Sequence, residues 1–159
     1  SMEKLDNLPS IILDSDVLIS WITKETETKT GKELWMAPLK IITLIEEERI
    51  KGWVSITSLL EIRFLLRRKK RYPEEIIRAF FEEFSKYFEI IIPDEGELLR
   101  SNQLQEKLTL DPFDAILLAT TLTKENIVLV TRDKAFLSVA SKFLEATTPE
   151  EVLKILRLK

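Results

Sequence analysis

Histidine and cysteine are both absent from the 159 residues, and glycine occurs only three times. Without cysteine there is no disulfide framework, no thiolate nucleophile and no thiolate zinc site. Without histidine the commonest general base is missing too. Any chemistry has to run on Asp, Glu, Lys, Ser, Thr or Tyr, or on a metal ion held by oxygen ligands. No uninterrupted apolar run approaches the roughly 18 residues of a membrane helix, and Glu3 to Ser10 is too polar for a signal peptide. The expectation is a soluble protein of the cytoplasm. A net charge of −3 gives no general attraction for nucleic acid, so binding of that kind needs a local basic patch.

What is present is enough for one substantial core, with 45% hydrophobic residues in a chain of domain length. Ser1-Met2 reads as an expression scar, residues 1–10 as scar and tail, and residues 11–159 as a single domain. Abundant Lys, Glu, Arg, Ile and Leu is a balance associated with growth at high temperature.

The apolar run Ile11-Ile12-Leu13 stops abruptly at Asp14, in the stretch Asp14-Ser15-Asp16-Val17-Leu18. This is the pattern of a buried strand ending in an exposed acid. In an open parallel sheet, ligands sit beyond the carboxyl ends of the strands. Asp14 also suits the N-cap of a helix starting near Val17. The polar segment Thr23 to Lys32 predicts a mobile loop near this acid. A helix is expected from Pro38 to Arg49, because proline suits a first turn, with Gly52 ending it and a strand over Trp53 to Ile56.

Glu61 follows in Thr57-Ser58-Leu59-Leu60-Glu61. Ser58-x-x-Glu61 has the form of a capping box, so Glu61 fits either a structural or a functional role in a first helical turn. Beyond it stand Arg63, Arg67, Arg68, Lys69, Lys70 and Arg71, which suit a helix end or a phosphate-binding patch. Pro73 opens a helix to Tyr87 whose Phe80, Phe81 and Phe84 stripe suits a core or a dimer surface. A strand at Phe88 to Ile92 and a helix at Glu97 to Lys107 come next.

In Leu110-Asp111-Pro112-Phe113-Asp114-Ala115, Asp111 is the natural N-cap and Asp114 falls in the first turn of an apolar helix. Ile127 to Val130 is a strand that ends in Thr131-Arg132-Asp133, echoing Leu13-Asp14, with Asp133 also suited to cap a helix at Lys134 to Ala140. An edge strand at Phe143 to Ala146 precedes a last helix opened by Thr148-Pro149. Strands and helices alternate, so the expected class is α/β, a three-layer α/β/α sandwich with a mainly parallel central sheet of four or five strands.

Asp14 and Asp133 at strand ends, with Glu61 and Asp114 in first turns of helices, can converge at one sheet edge. Four convergent carboxylates repel one another, and a divalent cation relieves that repulsion. Hard oxygen ligands select Mg²⁺ or Mn²⁺, and paired ions ~3.5 to 4 Å apart can activate water and stabilise the leaving oxygen of a phosphodiester.

The order of these motifs from Ile11 to Thr148-Pro149 resembles the PIN-domain nucleases. The resemblance rests on the Ile-Leu-Asp14-Ser15-Asp16-Val-Leu opening, Glu61 after a Ser/Thr-rich turn, Asp114-Ala115 leading an apolar helix, and Val-Thr131-Arg132-Asp133. It implies Asp14, Glu61, Asp114 and Asp133 as metal-binding acids, Asp16 and Thr131 as supporting positions, and a metal-activated water attacking RNA. Many small members are toxins of toxin–antitoxin pairs, which implies an antitoxin partner, and members commonly form homodimers. The basic residues Arg63, Arg67, Arg68 and Lys69 would meet RNA phosphates. The chain departs from the smallest toxins in its long Thr23 to Ala37 stretch. Two other readings stand beside this one. One is a non-catalytic PIN-like scaffold. The other is a haloacid-dehalogenase-like phosphatase, which Asp14-x-Asp16 also resembles, although Gly31, Gly52 and Gly96 do not supply that family's later glycine-bearing acidic motif.

Overall fold

The structure, a computed structural model, describes residues 8–157; Ser1 to Asn7, which hold the expected scar and most of the tail, lie outside it, as do Leu158 and Lys159. Five parallel strands run through the described residues: β1 (Ser10–Leu13), β2 (Lys51–Ser55), β3 (Phe88–Ile91), β4 (Ile127–Val130) and β5 (Ala146–Thr147). Eight helices accompany them: α1 (Ser15–Ile22), α2 (Met36–Glu46), α3 (Ile56–Arg68), α4 (Glu74–Tyr87), α5 (Glu95–Lys107), α6 (Pro112–Thr121), α7 (Lys134–Ala140) and α8 (Pro149–Arg157). This is the expected α/β/α sandwich.

The strand order is β3-β2-β1-β4-β5. β1 is central because both of its faces are apolar: Ile11 and Leu13 join one core while Ile12, pointing the other way, joins a second. The first core gathers α1, α2, α3, α4 and α8 around Val17, Leu18, Ile41, Ile62, Ile77 and Phe84. The second packs α6 and α7 through Leu117, Leu118 and Phe136 against Leu129. Phe84 is buried and Phe80 and Phe81 lie half-buried beside it around Trp21, so the aromatic stripe of α4 belongs to the core rather than to a free dimer surface.

Several expected boundaries move. α2 starts at Met36, which puts Pro38 third in the helix, still inside the first turn where proline costs little. Gly52 does not end that helix. It lies inside β2, where a Cβ would come 2.5 Å from the Ile45 side chain, so its role is close approach of helix to sheet. Ile56 belongs to α3 rather than to β2. Ser58 is therefore the third residue of the helix, and Ser55 caps it by accepting from the Thr57 amide at 3.3 Å. The Ser58-x-x-Glu61 box is thus overturned, and Glu61 sits in the second turn. α5 begins at Glu95 under an Asp94 cap, β3 ends at Ile91, and the edge strand is Ala146–Thr147 rather than Phe143 to Ala146.

The Thr23–Lys32 stretch, expected to be mobile, is a hydrogen-bonded hairpin. Thr26 and Glu33 form an antiparallel bridge, Glu27 donates to the Lys32 carbonyl at 2.8 Å, and Leu34 donates to the Glu25 carbonyl at 2.9 Å.

Candidate active site

The loops from β1 and β2 lead to one side of the sheet and those from β4 to the other, so β1 and β4 flank the point where the strand order reverses. In a doubly wound sheet this is where a crevice opens at the carboxyl ends of the strands. Asp14 leaves β1 there, its amide still donating to the Val130 carbonyl at 2.9 Å. As the N-cap of α1 it accepts from the Ser15 amide at 2.7 Å through Oδ1. Its Oδ2 accepts from the Thr131 hydroxyl, across from β4, at 2.8 Å. One side chain thus caps α1 and also stands at the carboxyl edge of the sheet, between β1 and β4.

Two hydroxyls hold the cluster together. Ser15, to which the sequence alone assigns no role, donates to Glu61, bringing the second turn of α3 to the start of α1; its oxygen also lies 3.4 Å from Asp14 Oδ1. Its signal in the sequence is its place between two acids at a helix start. Thr131 is fully buried and lies 2.8 Å from Asp14 and 3.4 Å from Asp16, so its single proton serves Asp14 while its oxygen accepts from the Asp133 amide at 3.1 Å. Asp16 accepts from the Arg132 amide at 3.1 Å through Oδ2, whereas its buried Oδ1 has no partner. Asp133 caps α7, accepting from Phe136 at 3.0 Å, and Asp111 caps α6, accepting from Asp114 at 2.8 Å.

The electrostatics follow from this crowding. Burial, then the neighbouring Asp16, push the Asp14 carboxyl well above the ordinary aspartate value, against the Thr131 hydrogen bond. Asp16 is raised to about 6, chiefly by burial and also by Asp133, with the Arg132 amide opposing. Asp114 is raised to about 7 by burial and by Asp111, Asp133, Glu61 and Asp16. Asp14, Asp16, Glu61, Asp114 and Asp133 therefore share one field, and among the described residues no Lys or Arg forms a salt bridge with any of them.

The donor set is all oxygen, and an unpartnered buried carboxylate oxygen beside carboxyls driven toward protonation is a place suited to a hard divalent cation. Among the described residues no three acids are drawn closely enough together to ligate one ion as they stand. The four acids expected from the sequence are at one sheet edge but not collapsed onto a point.

The sequence model of the PIN domain family matches residues 11–142. The chain belongs to the PIN domain family. Solved structures agree on the fold. A toxin–antitoxin complex from Klebsiella pneumoniae superposes with a TM-score of 0.63 at 20% identity, covering 88% of this chain and 98% of that one. The DNA-bound VapBC of Salmonella typhimurium gives 0.66 at 15% identity, covering 89% and 99%. PAE2754 of Pyrobaculum aerophilum gives 0.61 at 16% identity, covering 94% and 96%. No curated protein matches the chain.

The basic candidates of this PIN domain divide. Arg63 and Arg67 turn to Glu74 of α4, Arg67 at 2.7 Å, and Arg63 also covers the Phe81 ring. Neither is brought to the acids. Arg68 stands seven residues beyond Glu61, two helical turns along the same stripe and roughly 10 Å away, with its guanidinium 5.8 Å from the exposed Phe64 ring. Lys69 follows as the C-cap residue and is exposed. The sequence also left out Arg132 and Glu150. Arg132 Nη1 donates to Glu150 at 2.7 Å and Nη2 to the Leu34 carbonyl at 2.5 Å. Burial, the largest single influence, would raise the Glu150 carboxyl, but the Arg132 hydrogen bond, the backbone amide of Glu150 and the charges of Arg132 and Lys32 together outweigh it and the net shift is downward.

Proposed function

We propose that this PIN domain is a metal-dependent endoribonuclease, using Mg²⁺ or Mn²⁺, and the toxin half of a toxin–antitoxin pair that acts in the cytoplasm. The observation that carries the nuclease reading is the carboxylate cluster at the β1–β4 switch point, in which Asp14 is buried, Asp16, Glu61 and Asp114 are half-buried and Asp133 is exposed: Asp14, Asp16 and Asp114 all have raised pKa values, and no basic side chain of the described residues pairs with them. Asp14, Glu61, Asp114 and Asp133 would hold the ion, supported by Asp16 and Thr131. When bound, it would lower the pKa of a water and offset charge developing on the phosphodiester. The chain's own groups do the positioning. Ser15 fixes Glu61, Thr131 fixes Asp14, and the Arg132 amide fixes Asp16. Arg68 and Lys69 offer cations on the exposed end of α3 for substrate phosphates. The toxin role and an antitoxin partner are supported by fold likeness to a complex described as a toxin–antitoxin complex.

A non-catalytic binding module is the second reading, favoured by the spacing of the acids, which stops short of a closed ligand set. The two are separated by incubating the protein with single-stranded RNA and Mn²⁺. Cleavage that chelator abolishes, and that Asp14→Asn reduces to the chelated level, supports the nuclease. Wild-type rates in Asp14→Asn would refute the assigned site, and RNA binding without cleavage would favour the scaffold. Expression with and without the neighbouring reading frame tests the toxin role, which predicts growth arrest relieved by that partner.

A further inference from the structure

Arg132 is charged, its side chain only 16% exposed, and none of its guanidinium hydrogen bonds go to the acids next to it. Its backbone amide holds Asp16 at 3.1 Å while its side chain reaches away from the site. There it joins two elements distant in sequence: the hairpin, through the Leu34 carbonyl, and the first turn of α8, through Glu150. Lys32, also on the hairpin, lies 3.4 Å from the same Glu150 oxygen, so hairpin and α8 are tied twice at one carboxylate. The hairpin has few other anchors, because all of its residues from Lys24 to Lys32 are exposed and add nothing to the apolar core.

We propose that Arg132 is a positioning residue that locks the hairpin of residues 24–34 and the start of α8 onto the acid edge, making the hairpin a fixed wall of the site and holding Asp16 in place. A free hairpin would have to be ordered each time a substrate bound, whereas a pinned one is already in place. The side chain acts on Asp16 through its own backbone: with both ends of the guanidinium tied, the Arg132 amide has little freedom to move off the carboxylate. A partner that orients a metal-binding group in this way is commonly worth a factor of ~10 or more in affinity or rate. What the site does rests on the nuclease reading, but the clamp itself does not.

The test compares wild type with Arg132→Gln, Arg132→Lys and Glu150→Gln, and with Lys29→Ala as a control on the exposed hairpin tip. Amide hydrogen exchange is followed at Glu27, Gly31 and Leu34 against β1 and β4, alongside Mn²⁺ affinity by calorimetry and the split of kcat and KM on single-stranded RNA. In Arg132→Gln the hairpin amides should exchange about tenfold faster or more while the strands stay protected, Mn²⁺ affinity should fall roughly tenfold, and KM should rise more than kcat falls. Arg132→Lys, able to make one of the two bonds, should recover part of each, as should Glu150→Gln, which keeps an acceptor without its charge. Lys29→Ala should change none. Unchanged hairpin exchange in all three variants would overturn the clamp, and faster exchange with unaltered Mn²⁺ affinity would overturn its coupling to Asp16. Should Arg132→Gln fail to fold, Arg132→Lys and Glu150→Gln decide the matter by the same readings. If wild type neither binds Mn²⁺ nor cleaves RNA, the nuclease reading falls and with it the coupling to a metal site, while the exchange result still decides the clamp.

Discussion

Asp114 stands where burial and four carboxylates push in one direction, to a pKa of about 7 against the 3.8 of an ordinary aspartate. Between those values the folded chain keeps a proton that the unfolded chain has lost. The associated stability is complete below pH 3.8, the unfolded value, and disappears as pH rises through about 7. Asp16, raised to about 6, acts in the same direction over a narrower window. With chelator present, the melting temperature should therefore fall between pH 5 and pH 8. Asp114→Asn, which cannot ionise, should melt higher than wild type at pH 8 and show a flatter profile. The same substitution should abolish the stabilisation by Mn²⁺, which for wild type at ~100 times the dissociation constant is about 2.7 kcal/mol. A pH profile parallel to wild type, or an undiminished Mn²⁺ shift, would show that Asp114 is not part of a shared acidic site.

At the scale of single elements, α3 has two charged sides. Arg63 and Arg67 are spent on Glu74, tying α3 to α4, while Glu61 and Arg68 occupy the stripe that leads from the acids. Replacing Arg68 and Lys69 with Gln should reduce the salt slope of single-stranded RNA binding by about 0.7 for each phosphate left without its cation. Replacing Arg63 and Arg67 should leave that slope unchanged, because their charge is already paired. Filter-binding titrations across a salt series check this, and an equal reduction of slope in both pairs would mean that the whole helix end meets RNA.

At the scale of the molecule, large apolar side chains of several elements remain exposed outside the Phe80–Phe84 stripe. Ile92 is 76% exposed and Leu99 on α5 61%, while Leu60 and Phe64, both 59% exposed, are four residues apart on α3 and so lie on one stripe of that helix. We expect Leu60 and Phe64 of α3, rather than the aromatic stripe of α4, to meet a second copy of the chain. Sedimentation should give a dimer for wild type and a monomer for the double variant Leu60→Lys, Phe64→Lys, with the fold retained by circular dichroism. A monomeric wild type at micromolar concentration would refute the homodimer, and a dimer that survives both substitutions would move its interface elsewhere.

The sequence by itself determined the layers of this protein. Ile11-Ile12-Leu13 and Ile127 to Val130 are apolar on both faces, a pattern that calls for helices on both sides of a parallel sheet. Asp111 before Pro112, and Asp133 before Lys134, fixed two helix starts because capping is a matter of a few adjacent residues. The same locality misled at Ser58, whose spacing to Glu61 satisfies a capping rule that Ser55, three residues earlier, already fulfils. Gly52 misled for the opposite reason: its lack of a side chain answers Ile45, seven residues away and on another element. Only the tertiary structure decided that β1 and β4 are neighbours. That pairing puts Thr131 against Asp14 across 117 positions of sequence, and the packing of α3 on α1 puts Ser15 against Glu61 across 46. Tertiary structure also turned Arg132 toward Leu34 and Glu150, and Arg63 and Arg67 toward Glu74. Hydrogen bonds and burial between distant residues carry no periodicity along the chain, so the crowding that raises Asp14, Asp16 and Asp114 exists only once the strands are ordered.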